Sequence, residues 1–196
     1  MNTSEPLTGT NTRRDFLQCS AALAAGTTIM PMAVARAAHA AGSGIIKIGL
    51  IGCGGRGTGA AVNAMNSGPD VRLVAIGDLF ADHAQRALKQ LKTRKPDQVQ
   101  VNGDHVFDGF DAYQKVIDSE IDVVLIAATS RFHPQFLQAA IDAGKHVFVE
   151  KPHAIDVPGL HVVQAACEEA KNKGLRVVSG FCWRYDSAVR ETMQRV

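Results

Sequence analysis

From Ile45 onward, short apolar runs alternate with stretches in which apolar residues recur every three or four positions. The alternation predicts strands and helices in succession. Residues 45–51 read as a buried first strand, 58–66 as a helix, and 71–77 as a second strand ending in Asp78. A helix over 80–91 and a polar connection over 92–97 lead to a short third strand around Val99 to Val101, then a helix over 111–118. The unbroken apolar run 121–127 predicts a fourth strand buried on both faces. Pro134 opens a helix with Phe136, Leu137, Ala140 and Ile141 on one face, closed by Gly144, and 146–149 forms the fifth strand. Asp156 is placed to cap a further helix whose inward stripe is Leu160, Val163, Cys167 and Ala170, and whose end carries Lys171, Lys173 and Gly174. A sixth strand spans 175–180, and 185–196 reads as the start of a helix. Strands and helices in alternation give an α/β fold, a doubly wound parallel sheet over residues 44–180.

Before that pattern begins, Thr12-Arg13-Arg14-Asp15-Phe16-Leu17 is a twin-arginine signature. It is followed by the weakly apolar stretch 21–35 and by small-residue cleavage sequences such as Ala38-His39-Ala40. Residues 1–40 are therefore read as a twin-arginine signal, which predicts a periplasmic or otherwise exported protein delivered by the twin-arginine machinery. The apolar stretch is short and broken by Gly26 and Pro31, so no stable membrane anchor is expected. About 155 residues remain after the signal, enough for one domain with a sizeable core. The balance of 21 basic and 19 acidic residues contains no like-charged block and makes no case for nucleic acid. Cys53, Cys167 and Cys182 form no CxxC pair, and the seven histidines show no metal-ligand spacing, so neither a disulfide framework nor a metal site is indicated.

Chemistry concentrates at two strand ends. Gly52-Cys53-Gly54-Gly55-Arg56-Gly57 is a G-x-G-x-x-G turn between the first strand and its helix. Gly52 permits the tight turn, Gly54 lets a pyrophosphate approach the backbone, Gly57 lets helix and strand pack closely, and the helix N-terminus supplies N–H groups. Asp78 lies 21 residues beyond Gly57. A carboxylate there accepts bonds from ribose hydroxyls and repels a 2′-phosphate, and Leu79-Phe80 supply no cation to hold one, which favours NAD over NADP. The alternative for Asp78 is a cap on the helix that follows. At the end of the fifth strand stands Glu150-Lys151-Pro152. A lysine at the carboxyl edge of such a sheet can give or take a proton beside a hydride-transfer centre; otherwise it is a solvated strand-end lysine.

Together with Ala143-Gly144-Lys145 and Gly180-Phe181-Cys182-Trp183-Arg184-Tyr185, these motifs resemble the Gfo/Idh/MocA oxidoreductases over Ile45 to about Val196. The resemblance covers the N-terminal half of a typical member. It implies a C-terminal α+β substrate domain missing from this chain, with 181–196 starting the connection to it, and a homo-oligomeric full-length form. By the same resemblance, Lys151 is the lysine near the nicotinamide and the reacting hydroxyl, where desolvation would make it a usable base. Glu150 orients the nicotinamide side, and Pro152 follows a cis peptide bond. Members usually show Thr-Pro after the fourth strand. Here Ala128-Thr129-Ser130-Arg131-Phe132-His133 lacks that proline, and Thr129, Ser130 and His133 are expected at the ribose or nicotinamide, with His133 as a mere helix start the alternative. Arg184 is either a substrate contact or a bridge between domains.

The implied activity is NAD-dependent hydride transfer at a secondary hydroxyl of a sugar or cyclic polyol, weak or absent in this chain alone. The alternatives are an NAD-using glycoside hydrolase of the same fold and a truncated, non-catalytic nucleotide-binding module.

Overall fold

The computed structural model describes residues 44–196; the signal assigned to 1–40 lies outside the described residues. Six strands form one sheet in the order β3-β2-β1-β4-β5-β6, every neighbouring pair parallel. They are β1 (Ile46–Ile51), β2 (Val71–Asp78), β3 (Val106–Asp108), β4 (Val123–Ile126), β5 (His146–Val149) and β6 (Val177–Ser179). Between them run α1 (Gly55–Asn66), α2 (Ala81–Arg94), α3 (Ala112–Asp118), α4 (His133–Asp142) and α5 (Val157–Asn172), and α6 (Ser187–Gln194) follows the sheet. No helix among the described residues is long and apolar enough to cross a membrane.

Period-two alternation divides each strand between two layers. Ile48 and Leu50 of β1 pack with Ala61, Val62 and Met65 of α1 and with Ala84, Ala87 and Leu91 of α2. Ile51, one residue on, joins the opposite layer with Ile117 of α3, Leu137 and Ile141 of α4, and Ala166 of α5. Each fully buried Leu or Ile contributes about 1.5–3 kcal/mol by leaving water, and these two layers hold the strand ends in place.

Three sequence expectations need correction. Val99 and Val101 are buried but do not form the third strand. Val99 makes a single bridge to Leu73, and the ladder is taken up by β3, where Val106, Phe107 and Asp108 face Ile76, Gly77 and Asp78. The reason lies in Gln98, whose amide nitrogen faces the carbonyl oxygens of Met65, Gly68 and Val71 at 2.9, 3.0 and 3.0 Å. That fastens the segment to the entry of β2 rather than along its edge, and a single 3₁₀ turn at Gly103–His105 separates it from β3. Second, the inward stripe of α5 is Val163, Ala166 and Ala170; Leu160, 46% exposed, and Cys167 point out. Small residues let α5 close on α4 at the sheet margin, which narrows the stripe. Third, α1 starts at Gly55, inside the glycine turn, and not at Thr58. The Asp156 cap is present, its carboxylate accepting from Gly159 N at 2.7 Å, as is Pro134 in the first turn of α4.

Candidate functional site

The turn after β1 is held from within the sheet. Gly52 donates its N–H to Gly77 O at 2.8 Å and adopts φ +92°, and a Cβ there would lie 2.6 Å from the Ala127 carbonyl group. A Cβ on Gly57 would sit 1.8 Å from Gly52 O, so helix and strand touch through this residue. The Thr58 hydroxyl, buried, donates to Gly54 O at 3.0 Å and closes the turn. Gly54 is different: a Cβ on it would meet nothing within 4 Å. The protein leaves that side of the backbone empty, as an approaching ligand requires. Gly54 is the N-cap of α1, and no side chain caps the helix and no acid stands in its first turn, so Gly55 and Arg56 present open N–H groups to an anion. The residues present thus fit a pyrophosphate.

Asp78 closes the other end of this cradle. Its Oδ2 accepts from Cys53 N at 2.6 Å and its Oδ1 from Phe80 N at 3.0 Å, so the carboxylate is aimed by two backbone donors and keeps lone pairs for a diol. Cys53 therefore serves through its backbone. Its thiol is buried against Gly77 O, and burial first, then the charge of Asp78, push its pKa up to about 12 against a small opposing effect of that carbonyl. A cavity of about 390 Å³ runs from Gly52 and Gly54 past Asp78 to Thr129. Its wall is aromatic: Tyr113 stacks on Phe136 at 4.2 Å and Phe136 on Phe132 at 5.7 Å. Two features were missed by sequence reasoning. One is this wall, assembled from α3, the 3₁₀ turn Ser130–Phe132 and α4. The other is His83, whose Nδ1 lies 3.5 Å from Asp78 Oδ1; its only signal in the sequence is its place in the first turn after Asp78.

The β5 end is built differently. Glu150, 4% exposed, pairs with Arg56 of α1 and lies under Gly180, where a Cβ would come within 2.8 Å of either carboxylate oxygen. Lys151 is exposed, with no ion pair or hydrogen bond of its ammonium among the described residues, and its peptide bond to Pro152 is cis. His133 is 1% exposed and does not line the cavity. Its Nδ1 lies 2.8 Å from Pro152 O and its Nε2 2.8 Å from Ala128 O, so this side chain ties the loop after β4 to the loop after β5. Both contacts are hydrogen bonds when both ring nitrogens carry protons, since a carbonyl can only accept. Beside it, His153 Nε2 lies 2.8 Å from Ser179 Oγ. Its pKa is held below the ordinary histidine value, first by burial and then by the charge of His133, with Glu150 pulling the other way.

Of the residues expected at the site, Gly52, Gly54, Asp78 and Thr129 share the cavity. Ser130 begins a 3₁₀ turn beside it. Arg184 lies apart from it, over the Phe181 ring at 5.2 Å. An open helix N-terminus, a carboxylate aimed by backbone amides and a free lysine at the same sheet edge can bind an anion, hold a diol and move a proton.

A family model described as an oxidoreductase family with an NAD-binding Rossmann fold, GFO/IDH/MocA, matches residues 46–181. The chain is 28% identical over 151 residues to scyllo-inositol 2-dehydrogenase (NAD(+)) of Bacillus subtilis, covering 77% of this chain and 40% of that protein. It is 34% identical over 113 residues to glycosyl hydrolase family 109 protein 1 of Bacteroides fragilis, covering 57% and 23%. Among solved structures, scyllo-inositol dehydrogenase from Lactobacillus casei with bound NAD(H) and scyllo-inositol superposes with a TM-score of 0.61 at 28% identity, over 76% of this chain and 40% of that one. The chain thus spans about two-fifths of the length of the curated dehydrogenase it matches.

Proposed function

The chain belongs to the Gfo/Idh/MocA oxidoreductase family, and on that premise we propose that it is the NAD-binding part of a dehydrogenase acting on a secondary hydroxyl of a sugar or cyclic polyol. The observation that carries the reading is the meeting of an open Gly54 turn, an oriented Asp78 and an unpaired Lys151 at one sheet edge. The named substrates of the inositol dehydrogenase relatives support the polyol class. Gly54, Gly55 and Arg56 would hold the pyrophosphate of NAD through their N–H groups, Asp78 the adenosine ribose, and Thr129 and Ser130 the far ribose or nicotinamide. When bound, NAD supplies the hydride acceptor. Lys151 takes the hydroxyl proton of the substrate as the alcohol carbon is oxidised and returns it in the reverse direction. Glu150 and His133 position it, the first by fixing the end of β5 against α1, the second by holding Pro152. Arg184, in the turn after β6, would either contact the substrate or bridge to a second domain. The full-length form is read as a homo-oligomer on the family resemblance alone.

Binding is tested by titrating the chain with NADH and following nucleotide fluorescence. Saturable binding, weakened at least about tenfold by Asp78→Ala, is expected; no binding overturns the reading. In an assay of NADH formation on cyclic polyols by the full-length protein, Lys151→Ala is expected to keep nucleotide affinity and lose about 10²–10⁴ in turnover, the usual worth of a positioned base. Unchanged turnover removes Lys151 from the chemistry. The similarity to a glycosyl hydrolase favours one second reading, in which the oxidised sugar is reduced again after glycosidic cleavage. Glycoside hydrolysis without net NADH release would select it.

The Thr12-Arg13-Arg14-Asp15-Phe16-Leu17 signature supports a further proposal, export through the twin-arginine route to the periplasm. A reporter fused to residues 1–40 is expected to leave the cytoplasm and to stay inside when Arg13 and Arg14 are both replaced by Lys. Export of the double variant at the original level would exclude that route.

A further inference from the structure

The preference for NAD read from the sequence assumes that no cation stands beside Asp78, and the fold brings a histidine there. His83 reaches back from the first turn of α2 to place Nδ1 3.5 Å from Asp78 Oδ1. Its ring meets that of Phe80 edge-on at 5.2 Å between centroids, and the residue lines the same cavity as Gly54 and Asp78. The side chain is 41% exposed, and its Nε2 has no hydrogen-bond partner among the described residues. α1, which packs against α2, carries one charged side chain, Arg56, and it is paired with Glu150. β2 offers Asp78, and β3 offers Asp108, which faces Asp78 in the parallel register. α3 offers the Tyr113 hydroxyl, which accepts from Gln135 Nε2 at 3.0 Å. On its own helix Asp82 is already paired with Arg86. The charge in contact with His83 is the Asp78 carboxylate, and the nearby arginine on its own helix, Arg86, is already paired with Asp82.

We propose that His83 is a second determinant of nucleotide choice, acting with Asp78 so that preference for NAD over NADP is large above neutral pH and shrinks in mild acid. This rests on the reading that the cavity holds the adenosine end of a dinucleotide. An imidazole changes charge between about pH 5 and 8. Neutral, it leaves the negative charge of Asp78 in full, and that charge repels a 2′-phosphate. Protonated, it offsets the carboxylate and presents Nε2–H as a donor to a phosphomonoester, the chemistry by which cationic side chains hold 2′-phosphates. The ribose diol of NAD needs only acceptors and loses little when His83 gains a proton.

The test is the ratio of NADP to NAD affinity, measured calorimetrically on the chain at about pH 5.5 and about pH 8, either side of the imidazole range. The 2′-phosphate itself takes up a proton near pH 6, so part of any pH response belongs to the ligand. His83→Gln, which keeps a polar side chain and cannot titrate, isolates that part. The ratio is expected to rise on acidification roughly fivefold more in the wild type than in His83→Gln, the size of a half-exposed ion pair. His83→Lys is expected to raise the ratio at both pH values and flatten its dependence. An identical pH response in wild type and His83→Gln overturns the proposal while leaving dinucleotide binding intact. If neither nucleotide binds, the site reading falls and this inference falls with it.

Discussion

Gly52 and Gly54 sit two residues apart in one turn and answer to different constraints. Gly52 holds a positive φ against the Ala127 carbonyl group, so Gly52→Ala is expected to cost about 3 kcal/mol or more through backbone strain and overpacking, measured by urea unfolding. Gly54 has φ −69° and an empty outer face, and Gly54→Ala should unfold at nearly the wild-type midpoint yet bind NADH at least about tenfold more weakly. A large loss of stability in Gly54→Ala would show that the protein, and not a ligand, needs that glycine. The tight turn at Gly52 and the open face of Gly54 were both legible in the sequence because the spacing within a strand-turn-helix fixes where each Cβ would point. The role of His133 was not. Its partners are backbone oxygens five residues before it and nineteen after it, and no side-chain pattern records a bond to a carbonyl. His83 escaped for a related reason: one turn of helix swings it back to Asp78, beyond the two residues that sequence reasoning inspected for a cation.

Elements in this site are joined by charge as well as by packing. Arg56 in the first turn of α1 pairs with Glu150 at the end of β5, across β1 and β4, so the glycine turn and the lysine loop are mechanically connected. Glu150 is buried while Arg56 is half-exposed, and the two ends of the pair therefore carry unequal weight. Arg56→Ala should cost about 2 kcal/mol, less than for a fully buried pair because water reaches the arginine. Adding Glu150→Gln should restore part of that loss by removing the stranded charge. A double-mutant cycle in urea checks this, and additive losses would mean the two side chains act independently. At this scale, apart from the start of α1, the sequence misplaced only what sits at the sheet margins. Val99 with Val101 mimics a strand by period two, and Leu160 with Cys167 mimics an inward stripe by helical spacing. Edge elements bury one narrow side, so periodicity there is satisfied by more than one arrangement.

For the molecule as a whole, the doubly wound architecture was legible because six apolar runs alternate with amphipathic ones, and right-handed crossovers leave few ways to arrange them. The strand order carries a consequence in time. Ile48 of β1 pairs with Leu73 on one side and with Val123 on the other, 25 and 75 residues later in the chain. At about 5–20 residues per second of synthesis, the second partner follows the first by several seconds, far longer than a hairpin or a helix needs to form. Through that interval β1 lacks its partner on the β4 side, and the one charge it carries is Lys47, whose N–H and ammonium meet Asp122 and Glu120 in the finished sheet; a lysine on an unpaired edge is the kind of residue that disfavours pairing with another chain.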